Sequence, residues 1–280
     1  MNFLKGHKIK PKKINGIEVI FTDGTNEVRA NQLTCEAYGY VWDQHSGTCK
    51  ITTNSLSVQN SFKNADNTKF GKNNTVESGT NNSVLLGSSN KTKGKNTNVF
   101  ITGEQNEIGK GLNNTSIIGG KMGKALTQGQ VLIGGGSFNT AAGLIQMSFV
   151  QLSNKTTDAT LTSLTAQGVG TNYIELQNNS IVGYEAHIVA LCSGGSSGTA
   201  GQYMYYVLKG AVKVDNGYNA TFTQAISTSA NGSLSLSTTP VMATTTDPYM
   251  TIKVVGSANV NIGWAASVQL YENKLNTLTF

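Results

Sequence analysis

Three stretches decide the fold of this chain: Asn82-Ser83-Val84-Leu85-Leu86-Gly87, Asn98-Val99-Phe100-Ile101-Thr102-Gly103 and Asn114-Thr115-Ser116-Ile117-Ile118-Gly119. They are one phrase repeated every sixteen residues. Extending the spacing in both directions places glycines at Gly71, Gly87, Gly103, Gly119 and Gly135, with Leu85, Ile101, Ile117 and Ile133 two residues before the last four. A fixed period with apolar residues in one column marks a repeat architecture. The column is rich in β-branched residues and polar turn residues separate the copies, so each repeat reads as strand and turn rather than helix. The expected class is all-β: a β-solenoid or β-roll stem over residues 57–139.

Composition agrees. Charged residues make up only 13 % of the chain, too few to keep a disordered polymer solvated, and its 32 glycines disfavour helices. Each coil holds few apolar side chains against the backbone entropy of sixteen residues, so a lone chain is expected to be marginal. Packing three copies about one axis lets the apolar column face its symmetry mates. The expected partner is therefore the chain itself, as a homotrimer, with Leu85, Ile101, Ile117 and Ile133 as stem core and trimer contact. The asparagines fit stacked side-chain ladders.

Charge is uneven. Residues 1–150 hold 16 Lys/Arg against 9 Asp/Glu, and residues 151–280 hold 5 against 6, so the net +6 is N-terminal. Residues 1–16 read as a basic arm with Lys8, Lys10, Lys12 and Lys13, and 17–56 as a small β element with Tyr38, Tyr40 and Trp42 alternating before a turn. These residues are candidates for docking onto another protein; the other reading is a solvated tail and a mini-core. No aromatic interleaving accompanies the lysines, which argues against nucleic acid. No apolar run is long enough for a membrane span, and no signal-peptide pattern follows the basic start, which points to synthesis in a cytoplasm. Cys35 and Cys49 read as free thiols in a reducing compartment and as a pair in an oxidising one. His45 between them is too little for a zinc site, so no metal and no cofactor are expected.

Residues 140–280 lose the period. Alternation over 181–192, 202–214, 218–226, 250–255 and 260–271, with Gly/Ser-rich loops between, predicts an antiparallel sandwich of jelly-roll type as a C-terminal knob. Tyr203 and Tyr205 share a face with Lys209 and are candidates for ligand contact, with a trimer seam as the competing reading. Glu185 and His187, two residues apart, read as an acid–base pair or, because Val189 and Leu191 continue the same face, as part of a subunit contact or rim, which is the stronger of the two readings. Acidic residues are sparse and no nucleophile elbow or phosphate loop appears, so the expectation is a protein that is not an enzyme.

The motif Asn82–Gly87, with its copies at 98–103 and 114–119, resembles the β-roll heads of YadA-type trimeric adhesins. Thr251–Ala258 followed by Asn261-Ile262-Gly263-Trp264-Ala265-Ala266 resembles the terminal domain of bacteriophage fibre proteins. The Cys35–Cys49 element is similar to small virion domains of phages infecting Bacteroidetes, including the crAss-like group. The resemblance implies a virion component made in the host cytoplasm: a head fibre, or alternatively a tail fibre or tailspike. It implies that the N-terminus binds other virion proteins (capsid, portal or tail) and that the knob meets a host surface receptor or glycan.

Overall fold

The computed structural model describes residues 9–51, 67–136, 141–168, 170–230, 232–236, 241–246 and 248–275. Lys8 lies outside the described residues. The chain divides into two compact units, residues 1–65 and 66–280.

In the first unit, β1 (Lys10–Asn15), β2 (Glu18–Thr22), β3 (Glu27–Val28), α1 (Gln32–Ala37), β4 (Val41–Asp43) and β5 (Thr48–Lys50) follow in order. The sheet runs β1-β2-β5-β4, with β3 paired to β2. Lys10, Lys12 and Lys13 are thus strand rather than arm, and Lys12 and Lys13 both reach Glu27, at 3.2 and 2.8 Å. The helix was not legible in the aromatic alternation. Asn31 caps its start by accepting from the Thr34 amide at 2.8 Å, and Tyr38 closes its end. Only β4 and β5 form the hairpin that the alternation predicts. Cys35 and Cys49 form a disulfide beside Phe21, which is fully buried. Tyr38 and Tyr40 pack edge-on against Phe21 at 5.8 and 6.3 Å, and Trp42 is half-buried. Phe21, Tyr40 and Trp42 belong to a small core, and Tyr38 stands exposed at its edge.

The second unit opens with a solenoid of about four turns: β6 (Thr68–Phe70), β7 (Thr75–Val76), β8 (Val84–Ser88), β9 (Lys91–Thr92), β10 (Phe100–Glu104), β11 (Glu107–Ile108), β12 (Ser116–Ile117), β13 (Lys124–Ala125) and β14 (Val131–Gly134). Parallel sheets β6-β8-β10-β12-β14 and β7-β9-β11-β13 form two sides, and the bridges Asn81–Thr97 and Thr97–Asn113 form a third. Leu85, Ile101 and Ile117 are stacked inside the coil with no exposure. This corrects their assignment as trimer contacts: each chain closes its own core. Ile133 leaves the column altogether. Ile117 pairs with Leu132, which is fully buried, while Ile133 faces outward and is 41 % exposed. The last coil is one residue short, so the strict sixteen-residue spacing points at the wrong neighbour.

The glycine column shifts as well, here through one extra residue at Gly119-Gly120. A Cβ on Gly87 or Gly103, both at positive φ, would overlap the backbone carbonyl of the next coil, at Gly103 and Gly120 respectively. Coils this close leave room only for glycine. The asparagine ladder is real and lies mostly inside. The Asn106 amide donates to the Thr102 carbonyl at 2.9 Å, while its Oδ1 accepts from the Gly123 amide at 2.7 Å. Asn90 accepts from the Asn106 amide at 3.1 Å and donates to the carbonyls of Leu86 and Gly103. Each buried side chain bridges two coils and leaves no backbone group stranded.

The knob comprises β15 (Ile145–Thr156), β16 (Leu161–Ser163), β17 (Thr165–Ala166), β18 (Ile174–Glu175), β19 (Ser180–Gly194), β20 (Tyr203–Val214), β21 (Ala220–Ala230), β22 (Val241–Thr246), β23 (Tyr249–Val255) and β24 (Asn261–Lys274). Its main sheet, β21-β20-β19-β24-β15, joins the stem sheet where β15 pairs antiparallel with β14. Stem and knob therefore share one eleven-stranded sheet. A smaller sheet of β16, β18, β22 and β23 covers one face, and Ile188, Met250, Ile252 and Trp264 lie in the core between the two layers. Consecutive strands β19, β20 and β21 form a meander within one sheet, rather than the alternation between sheets of a jelly roll.

The junction is polar and buried. Gln146 accepts from the Lys124 amide at 2.9 Å and donates to the Lys124 carbonyl at 3.0 Å and to Glu272 at 2.9 Å. Gln177 donates to the same carboxyl at 3.2 Å. Burial pushes the Glu272 carboxyl up to about 6, and the two amide donors limit the shift.

Candidate ligand-binding face

The covered face of the knob sheet is apolar core. Its other face is open. Along β19 the open side reads Ile181, Gly183, Glu185, His187, Val189, Leu191, because side chains alternate across a strand. Register with β20 then sets Glu185 opposite Lys209, His187 opposite Val207, Val189 opposite Tyr205, and Leu191 opposite Tyr203. The two pairs of residues singled out in the sequence, Glu185 with His187 and Tyr203 with Tyr205, are thereby brought together on one surface.

Their chemistry is connected. Glu185 Oε1 lies 2.9 Å from both Lys209 Nζ and His187 Nε2. The Lys209 ammonium, followed by the His187 hydrogen bond, holds the Glu185 carboxyl below the usual carboxylate range. His187 Nδ1 meets the Tyr205 hydroxyl, and the two rings stack with centroids 5.9 Å apart. With Glu185 ionised, Nε2–H donates to it, and in the neutral ring Nδ1 then accepts from Tyr205 O–H. Around this relay Val189, Leu191 and Tyr203 stand 47, 53 and 51 % exposed. The patch thus combines apolar platforms, a hydroxyl, a carboxylate and an ammonium.

A cavity of about 790 Å³ lies at the opposite end of β19, between Leu144, Ile181, Val214 and Leu275. It is roomier, but two of its charged groups are already engaged: Asp215 binds Asn219 at 2.8 Å and Lys274 binds Asn178 at 3.0 Å. The connected acid–base chemistry is on the open face. Among the described residues no cluster of three His, Cys, Asp or Glu side chains forms a metal site, and no helix is long and apolar enough to cross a membrane.

No protein-family model and no curated protein sequence matches this chain. Among solved structures it is similar to the tailspike protein of Acinetobacter baumannii phage AM24, at 9 % identity and a TM-score of 0.27, covering 76 % of this chain and 50 % of that one. It is also similar to a tailspike of Acinetobacter baumannii bacteriophage Fri1, described as a capsular polysaccharide depolymerase, at 11 % identity and a TM-score of 0.24, covering 72 % and 36 %. The chain spans half or less of the length of these tailspikes. The described neighbours include neither an adhesin of the YadA type nor a crAss-like head fibre, so those finer likenesses gain nothing. The expectation of a protein without enzymatic activity is withdrawn: the Fri1 tailspike is described as a capsular polysaccharide depolymerase.

Proposed function

We propose that this chain is a tail-associated receptor-binding protein of a bacteriophage, carried on a β-solenoid and binding bacterial surface polysaccharide through the open face of its knob. The observation that carries this reading is the patch of Tyr203, Tyr205, His187, Glu185 and Lys209 on a rigid, otherwise weakly charged sheet. Aromatic faces stack on the C–H faces of sugars, and the fixed charges orient hydroxyl or carboxylate substituents. The tailspike neighbours favour a tail position over the head fibre expected from sequence. Homotrimeric assembly and docking of the first unit on other virion proteins, through Lys10, Lys12, Lys13 and the Tyr38, Tyr40 and Trp42 region, belong to the same proposal.

The test is binding of purified capsular polysaccharide by the full chain. Tyr203→Ala should weaken binding roughly ten-fold or more, as loss of an aromatic contact does. Equal binding by the variant overturns the assignment of the face.

A second reading has its own observation, the Tyr205–His187–Glu185 relay. A hydroxyl held by an imidazole whose other nitrogen is fixed by a carboxylate is poised to exchange a proton with a bound substrate. On this reading the face cleaves the glycan that it binds. Tyr205→Phe should then abolish release of new chain ends while binding persists. Loss of both together, or of neither, removes the catalytic reading.

A further inference from the structure

The three sides of the stem are unequal. The side of β7, β9, β11 and β13 is laced with ion pairs: Lys91–Glu77 at 2.9 Å, with Lys93 and Lys124 both 3.7 Å from Glu107. The bridged side is polar, its exposed Asn98 and Asn114 joined at 3.1 Å. The third side is the outer face of the shared sheet, and there an apolar row runs straight along the stem axis. It passes from Phe70 to Leu86, crosses Thr102, continues through Ile118 and Ile133, and enters the knob at Met147 and Tyr271. Seven strands at about 4.8 Å spacing make the row about 29 Å long. Even at its one polar member the hydroxyl oxygen is engaged, accepting from the Gly119 amide at 2.6 Å.

Phe70, Ile118, Tyr271 and Ile133 are 75, 53, 49 and 41 % exposed. With their half-buried neighbours, the row leaves roughly 500–600 Å² of apolar side chain in water, the upper end of what monomers tolerate and most of the ~800 Å² that one partner gives to a stable interface. Polar residues rim it, the Glu104–Lys121 pair at 3.4 Å among them. An apolar centre with a charged rim is the anatomy of a protein interface.

We infer that this row is where copies of the chain meet along the stem, and that its occupant is a second copy. The row follows the axis of a repeat, so an identical stem laid alongside presents a matching strip at the same rise per coil. A sugar chain has no apolar strip of that length to offer. The contact differs from the one that the sixteen-residue period points to: of that column only Ile133 takes part, and the rest lies inside one coil.

The experiment is solution mass of the full chain at micromolar concentration. Wild type should be an assembly of whole chains. Ile118→Lys should raise the concentration needed for assembly about a hundred-fold or more, because a lysine at the centre of the strip leaves a charge unpaired in an apolar contact. Lys110→Ser, on a turn away from the row, should leave assembly unchanged. Phe70→Ser and circular dichroism distinguish a lost contact from a lost fold. Ile118→Cys should cross-link copies on oxidation. A monomeric wild type overturns the inference, as do Ile118→Lys and Phe70→Ser variants that assemble like wild type.

Discussion

The stem and the knob share one sheet yet hold their strands in opposite ways. In the stem the strands are two to five residues long and the interior is half polar, with Asn90, Asn96, Asn106 and Thr115 fully buried beside Leu85, Ile101 and Ile117. Each buried amide ties one coil to the next. In the knob, β15, β19 and β24 are twelve to fifteen residues long, and the interior is a continuous apolar cluster built round Trp264. Hydrogen bonds set the register of short strands, where one apolar pair cannot; length and alternation set it in the knob. The junction belongs to both regimes, with Gln146, Gln177 and Glu272 as its polar ties.

Four measurements sharpen or break this contrast. Asn106→Ala should be the most damaging change, costing about 3–6 kcal/mol, because it strands buried backbone groups in two coils. A loss in melting temperature no larger than for a surface change would refute a register held by amides. Trp264→Ala should cost about 3–5 kcal/mol by opening a cavity in the knob. It also frees Thr156, whose hydroxyl accepts from the indole N–H at 2.9 Å. Near-UV circular dichroism should report the loss first in the knob.

The third measurement concerns Glu272. Its folded carboxyl titrates near 6, above its unfolded value of 4.5, so its stabilising contribution is complete below the unfolded value and is lost as pH rises through 6. Stability of the wild type should therefore fall by about 2 kcal/mol between pH 4.5 and 7 relative to Glu272→Gln, which stays neutral. Parallel denaturation curves for the two proteins would show that the junction carboxyl is not buried. The smallest effect is expected from Asn98→Gly, because the backbone there has a positive φ of 55° that glycine adopts without strain. The Asn98 bond to Asn114 is exposed, and its removal should change stability by no more than about 0.5 kcal/mol. A drop as large as for Asn106→Ala would place the register-setting ladder outside the coil.

Legibility followed the same division. The five alternating segments of the knob appear as β19, β20, β21, β23 and β24, because apolar residues there sit on every second position. Strand β15 escaped. Its outward residues Ile145, Met147 and Phe149 are apolar, and its inward Gln146 and Ser148 are polar, before the pattern inverts at Val150 and Leu152. The inversion marks the junction, where inward polar groups bond to the stem; Ser148 accepts from Gln130 at 2.8 Å. In the stem the repeat was plain, but a spacing cannot show where a coil gains or loses a residue. The structure places the extra residue at Gly119-Gly120 and the loss before Leu132. The candidate site was visible as two separate pairs, Glu185 with His187 and Tyr203 with Tyr205. Only the pairing of β19 with β20 could join them. The outward row from Phe70 to Tyr271 had no sequence signal, since its members come from both halves of the unit.

On the two proposals made above, one open face serves two ends: self-contact along the stem and ligand contact on the knob, separated by eight residues of β19, or roughly 27 Å, between Gly183 beside Tyr271 and Leu191 beside Tyr203. Hydroxyl-radical footprinting of the full chain, with and without capsular polysaccharide, tests this most directly. Phe70 and Ile118 should be protected in both samples, and Tyr203 and Tyr205 only when the glycan is present, with Tyr218 reactive throughout as the exposed reference. Phe70 and Ile118 as reactive as Tyr218, or Tyr203 protected without glycan, would contradict the division.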